Sequence, residues 1–206
     1  MTELDKNKTL KAEAPAATES TSNKERWILL IVALIIILLD QWSKSLVESK
    51  LALYTYYAPF PALENIFRIS HVTNTGVAFG LFPDGNLIFT LVALIVSIVI
   101  IVYNFMLAPG HRLLRLALGL QLGGALGNLI DRLQQGYVTD FMDFGPWPVW
   151  NIADLAVVSG TALLVWIMYR EEREEKKRAA TMSEPNTHLE NQTEVNTQQL
   201  DESSNS

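Results

Sequence analysis

Apolar positions along this chain gather into four long runs, each bounded by polar or charged residues. They are "WILLIVALIIILLDQWSKSLV" over 27–47, "LIFTLVALIVSIVIIVYNFML" over 87–107, "LLRLALGLQLGGALGNLID" over 113–131 and "NIADLAVVSGTALLVWIMY" over 151–169. Each is close to the ~20 residues that a helix needs to cross a ~30 Å hydrocarbon core. The pattern predicts an all-α membrane protein of four transmembrane helices. A cleaved signal peptide is the competing reading of the first run, but no A-x-A site follows it and its polar lead is too long.

The stretches between the runs carry a second periodicity. In the long loop 48–86, "NIFRISHVTNTGVAFG" alternates Ile66, Arg68 and Ser70 against Phe67, Ile69 and His71. Period two with β-branched and aromatic residues predicts short strands, here a small sheet between helices one and two lying on the membrane surface. The other long loop, 132–150, reads as a connection turned by Gly136.

Composition sharpens the boundaries. Apolar residues make up 49% of the 206 and concentrate in the middle. The ends are polar, so 1–26 and 171–206 are expected to be disordered tails flanking a membrane domain over 27–170. The run "REEREEKKR" after the last span reads as a solvated helix extension. There is no cysteine, which excludes disulfides, thiolate metal sites and a Cys nucleophile. The net charge of −6 comes partly from the tails and does not point to nucleic acid.

Positive charge sets the expected orientation. Lys24 and Arg26 precede the first span, Arg112 and Arg115 lie at the turn between the second and third, and Arg170, Arg173, Lys176, Lys177 and Arg178 follow the fourth. The two longer loops are poorer in Lys and Arg. Both termini are therefore expected in the cytoplasm, with loops 48–86 and 132–150 outside. Trp27, Tyr103, Trp166 and Tyr169 would mark the inner interface, and Trp42, Trp147 and Trp150 the outer one.

Ionisable side chains inside a bilayer are costly, so each needs a reason. Asp40 lies roughly 20 Å from the inner end of the first span at ~1.5 Å per residue, with Lys44 at i+4 on the same face. The plain reading is a structural pair. The sharper one is a Ser–Lys dyad with Ser43 or Ser45, but a neighbouring Asp would hold Lys44 protonated, which is wrong for a base. Gly119, Gly123 and Gly127, broadened by Gly124, permit close helix packing. Asn128, Asp131 and Arg132 then share one face, and Asp131 beside Arg132 reads as an ion pair at the helix end. Asp140 falls just outside the third span, and Asp154 falls one turn inside the fourth, with Asn151 a plausible cap.

A short connection between spans three and four lets Asp140 and Asp154 meet. Two close carboxylates do not both ionise easily. An ionised one can then deprotonate water while a protonated one polarises a carbonyl, with no metal or cofactor. From spacing alone, the same residues equally fit a proton or cation path. No H-E-x-x-H or G-x-S-x-G is present, and His71, His111 and His188 are dispersed, so no metal site is expected. Asp143, three residues past Asp140, competes for the same role.

The set "DQWSK", "NTGVAFG", "GGALGNLIDR", "VTDF" and "NIAD", in this order, resembles the lipoprotein signal peptidases, also called signal peptidase II. The resemblance covers about Trp27 to Arg170. It implies a bacterial inner-membrane aspartic endopeptidase, needing no cofactor, whose partners are the lipid bilayer and diacylglyceryl-modified prolipoproteins. Such an enzyme cuts the signal peptide just before the lipid-modified Cys. The catalytic pair would fall on Asp140 and Asp154, which favours Asp140 over Asp143. Asn128, Asp131 and Arg132 would shape the site and contact substrate. Asn151 and Ala153 fall in the motif around the second aspartate, and Asn74 and Gly76 in an outer-loop motif that meets substrate. Asp40 and Lys44 would be mainly structural. The outer loop of the family forms a small sheet that cradles substrate, in line with the strand reading.

Overall fold

The computed structural model describes residues 16–76 and 85–183. Helix α1 (Ala16–Lys50) leads into a short strand β1 (Tyr56–Tyr57), a 3-10 turn at Pro61–Leu63 and strand β2 (Arg68–Asn74). Helices α2 (Gly85–Met106) and α3 (Arg112–Gln135) follow, then strand β3 (Val138–Asp143) and helix α4 (Ile152–Ser183). Four segments are long and apolar enough to cross a membrane: Lys24–Lys50, Asn86–Met106, Arg112–Gln135 and Ile152–Thr181. They overlap the four predicted spans to within about a turn, apart from the extension of the last.

Helix α3 is central because its glycines let two neighbours approach closely. A Cβ at Gly119 would lie 2.9 Å from the Leu29 carbonyl oxygen, and one at Gly123 2.6 Å from Ile36 Cβ, both on α1. On another face, a Cβ at Gly124 would lie 2.3 Å from the Ala153 carbonyl oxygen of α4. Around this contact Leu29, Ala33, Ile100, Leu118 and Leu122 form a buried core. Most other apolar side chains on α1 and α2 stay exposed, as expected of surfaces that face lipid.

The sheet is antiparallel in the order β1-β2-β3. β2 is the strand that the alternation predicts. β3 is a correction to the sequence reading: the segment after Gly136, expected as a plain connection, pairs with β2 from the other loop. Val72 stands opposite Asp140, Thr73 opposite Thr139 and Asn74 opposite Val138. The sheet thus draws on both long loops, 48–86 and 132–150. Gly136, at φ 81, ends α3 in a left-handed cap, its N–H donating to the Arg132 carbonyl, so the chain turns straight into β3.

At the opposite end of α2 and α3, Arg115 is fully buried. Its guanidinium donates to the Asn104 and Leu107 carbonyls and to the Asn104 side chain, closing the last turn of α2. Glu25 takes Gly110 N–H at 2.7 Å and Arg112 Nε at 2.8 Å, tying α1 to the turn that opens α3.

By its contacts the chain divides into Met1–Val165 and Trp166–Ser206. In the second unit α4 continues as an exposed polar helix, with Lys176 on Glu172 at 2.6 Å and Lys177 on Glu174 at 3.6 Å. These one-turn pairs support helix in the segment from 171, where the sequence reading takes "REEREEKKR" as a solvated helix extension at the start of the polar tail. Residues 16–26 and 171–183 are helical, and the rest of both expected tails, 1–15 and 184–206, lies outside the described residues.

Candidate active site

Two carboxylates on different elements meet one asparagine. Asp140, at 2% exposure, projects from β3. Its Oδ1 accepts Asn151 Nδ2 at 2.6 Å and its Oδ2 accepts Asn74 Nδ2 at 2.9 Å. Burial pushes this carboxyl up to about 6, the Asn74 hydrogen bond opposes that, the nearby Asp154 carboxylate adds to it, and Asn151 and Lys44 pull back. Desolvation therefore dominates the protonation of Asp140.

Asp154 sits in the first turn of α4, where the sequence builds a reciprocal cap. Asp154 N–H donates to Asn151 Oδ1 at 2.9 Å, and Asn151 N–H donates to Asp154 Oδ2 at 3.1 Å. This is a capping box with Asp in place of Glu. Asn128 Nδ2 donates to the other Asp154 oxygen at 2.9 Å. Asn151 is fully buried and holds Asp140 with its side chain and Asp154 with its backbone.

A buried charged cluster lies behind the pair. Lys44 Nζ is 2.7 Å from Asp40 Oδ2 and 2.8 Å from Asp131 Oδ2, and it donates to Asn128 Oδ1 at 3.0 Å. The expected Asp40–Lys44 pair is present. The expected Asp131–Arg132 pair is not: Asp131 turns into the bundle toward Lys44, which arrives from α1. Arg132 instead donates to the Asn128 carbonyl at 3.3 Å and lies over the Phe89 ring at 5.6 Å.

An open cavity of about 540 Å³ is lined by Asp154 and by Asn74, the partner of Asp140. Asn74, Asn128, Arg132 and Asp154 line one part of it, while Phe89, Val96 and Val157 are among its apolar walls on α2 and α4. The combination of apolar walls with a few convergent polar groups is typical of a ligand site. Gly76, at φ 76, supports one edge: its N–H donates to Asn74 Oδ1 at 2.8 Å, and a Cβ there would lie 2.5 Å from Phe89 Cδ2. Ala153 contributes its backbone, donating N–H to Asp40 Oδ1 at 2.9 Å.

Asp143 is occupied elsewhere. It accepts Arg68 Nη2 at 2.7 Å, Ser70 Oγ at 2.8 Å and Gly145 N–H at 3.0 Å. Burial pushes its carboxyl up, but these hydrogen bonds and the Arg68 charge outweigh that and hold it below the usual carboxylate range. Ser43, the candidate of the Ser–Lys reading, donates to the Asp40 carbonyl of its own helix at 2.9 Å. Among the described residues no three His, Asp or Glu side chains converge as metal ligands.

Sequence reasoning passed over Gln41, Thr139 and Glu48. Gln41 Nε2 donates to Asp131 Oδ1 at 2.7 Å and to the Gly127 carbonyl at 3.2 Å. Thr139 Oγ1 donates to Glu48 Oε1 at 2.5 Å, and its N–H donates to Asp131 Oδ2 at 3.3 Å. The available signal was a polar Gln inside an apolar run, which needs a partner in a bilayer.

Two solved structures resemble the chain, each described as a bacterial membrane enzyme determined by the in meso method. One, at 2.3 Å resolution, superposes with a TM-score of 0.63 at 26% identity, covering 70% of this chain and 88% of the other. The second, at 1.9 Å, gives 0.62 at 26%, covering 68% and 91%. Four apolar helices long enough to span a bilayer, with buried Asp140 and half-buried Asp154 near a cavity, make this a multi-pass membrane protein. The family model described as Signal peptidase (SPase) II matches residues 32–170. A lipoprotein signal peptidase from Moorella thermoacetica is 42% identical over 137 residues, 66% of this chain and 89% of the relative. One from Shouchella clausii is 43% identical over 148 residues, 71% and 96%. The chain belongs to the signal peptidase II family and is a protease.

Proposed function

We propose that the protein removes signal peptides from diacylglyceryl-modified prolipoproteins, cutting before the lipid-modified Cys, with Asp140 and Asp154 as the catalytic pair. The reading places it in the bacterial cytoplasmic membrane, with both termini in the cytoplasm and the pair at the outer face, in keeping with the distribution of Lys and Arg.

The observation that carries it is Asn151, which ties the two carboxylates together beside a cavity with apolar walls. Asp140, raised to about 6 by burial, takes up a proton more readily than an ordinary carboxylate and carries it in the reactive form. Asp154 acts as the base. It takes a proton from water as the oxygen attacks the scissile carbonyl, and Asp140 gives its proton to the carbonyl oxygen. On collapse the C–N bond breaks, Asp154 passes its proton to the leaving nitrogen, and Asp140 recovers its own. Asn74, Asn128 and Arg132 line the cavity where substrate would lie, and Gly76 allows Phe89 to close in beside them.

The test is cleavage of a lipidated precursor and its unlipidated twin by protein reconstituted in bilayers. The lipidated form should be cut at the bond before Cys and the unlipidated form should not. Asp140→Asn and Asp154→Asn should each abolish cleavage while the protein remains inserted. Retained cleavage in either variant sinks the assignment, and equal cleavage of the two precursors sinks the substrate class. Proton flux without peptide would favour a carrier instead.

A further inference from the structure

The buried lysine behind the pair makes three contacts, and each leads in one further step to a catalytic aspartate. Lys44 Nζ faces Asp40, Asp131 and Asn128 at 2.7, 2.8 and 3.0 Å. Asp40 Oδ1 takes the N–H of Ala153, the residue before Asp154. Asp131 Oδ2 takes the N–H of Thr139, the residue before Asp140. Asn128 takes Lys44 on its oxygen and points its NH2 at Asp154 Oδ1. Nζ thus has three acceptors, the full complement for an ammonium.

Taking the Asp140–Asp154 assignment above as its basis, we infer that Lys44 is a positioning residue for catalysis: its ammonium fixes the Asn128 amide so that the NH2, not the oxygen, faces Asp154.

An amide is nearly symmetric in shape, so packing alone orients it poorly. Here the two ends are separated by charge. Lys44 and Asn151 Nδ2 both donate to Asn128 Oδ1, at 3.0 and 3.2 Å, which leaves the NH2 end for the Asp154 carboxylate. A flipped amide would set its oxygen against Asp154 and disfavour the charge that a general base needs. Of the two donors on Asn128 Oδ1, the ammonium is the charged and therefore stronger one. The Asp40–Lys44 pair, expected to be structural, then has a second task that its burial alone does not require.

Charged groups reach the pair from four elements: Asp40 and Lys44 on α1, Asp131 and Arg132 on α3, Asp140 on β3 and Asp154 on α4. The test therefore removes the ammonium without changing the net charge of the cluster. Lys44→Met combined with Asp131→Asn deletes one positive and one negative charge. It leaves Asp40 capping Ala153, and an amide oxygen at 131 still able to accept Thr139 N–H. We expect kcat to fall about tenfold or more with KM within about threefold, the signature of an interaction that serves the reaction rather than binding. Thermal unfolding in detergent should stay close to that of the parent. A kcat within about twofold of the parent overturns the inference. Lys44→Met/Asp40→Asn makes the same exchange at the other carboxylate, and the same outcomes decide if the first variant does not accumulate. If neither folds, Lys44 is a folding element only and the inference falls. Asp140→Asn run alongside keeps the two questions apart: its retained activity would refute the catalytic assignment, whereas parental activity in the lysine variant would refute only the role of Lys44.

Discussion

Asp140→Asn should abolish cleavage and stabilise the folded protein at neutral pH. The carboxyl is lifted from 3.8 to about 6, mainly by burial. A tenfold change in proton affinity is worth ~1.4 kcal/mol, so holding the ionised group in this site costs ~3 kcal/mol above pH 6. The sign follows from linkage. A raised carboxyl binds a proton in the folded state that the unfolded chain has released, so its contribution favours folding below 3.8 and is lost as pH rises through about 6. Asparagine removes that penalty. It also turns one N–H donor toward the amide of Asn74 or Asn151, a mismatch costing ~1 kcal/mol. The net gain is about 1–2 kcal/mol at pH 7.5, or roughly 3–6 °C in Tm for a chain of this size. The gain should shrink as pH falls and reverse near pH 4. Thermal unfolding of both proteins in one detergent, at pH 4 to 7.5, reads it directly. A variant no more stable than its parent at pH 7.5, or a difference that does not change with pH, would refute the desolvation account of Asp140.

Other expectations concern neighbouring residues. Asp143→Asn should loosen the cradle by about 1–2 kcal/mol through loss of the Arg68 and Ser70 contacts yet retain cleavage; abolished cleavage in a folded variant would return Asp143 as a candidate catalyst. Gly124→Ala should destabilise by ~2 kcal/mol or more, since its Cβ would fall 2.3 Å from the Ala153 oxygen; parental Tm would mean that α3 and α4 part easily. Chelation with EDTA should leave cleavage unchanged, and inhibition reversed by added metal would require a site not described above.

The helices were legible because a bilayer-spanning run identifies itself without a partner. The run 87–107 corresponds to Asn86–Met106 almost residue for residue. β2 was legible for the same local reason, its alternation. β3 was not: six residues of mixed character gain meaning only from a register set by Asn74 and Val72, more than sixty positions upstream. The Lys44–Asp131 pair was hidden likewise, since i+4 spacing reveals Asp40 and nothing reveals a carboxylate on another helix. The burial of Arg115 was not legible, because only the fold brings Asn104 and the α2 carbonyls around it. Within the site, the proximity of Asp140 and Asp154 could be read from the short connection between them. The asparagine that joins them could not, because Asn151 as a helix cap already has a sufficient local reason to exist.

The cross-loop sheet also orders events during synthesis. β2 ends at Asn74 and β3 begins at Val138, with two membrane spans between them. At ~5–20 residues per second, roughly 3–13 s separate the two strands as the chain emerges. Until the second long loop has been made, Asn74 has no aspartate to hold and β2 lacks its β3 partner. On the proposed assignment, the site is therefore assembled only once both long loops and the two helices between them have been made.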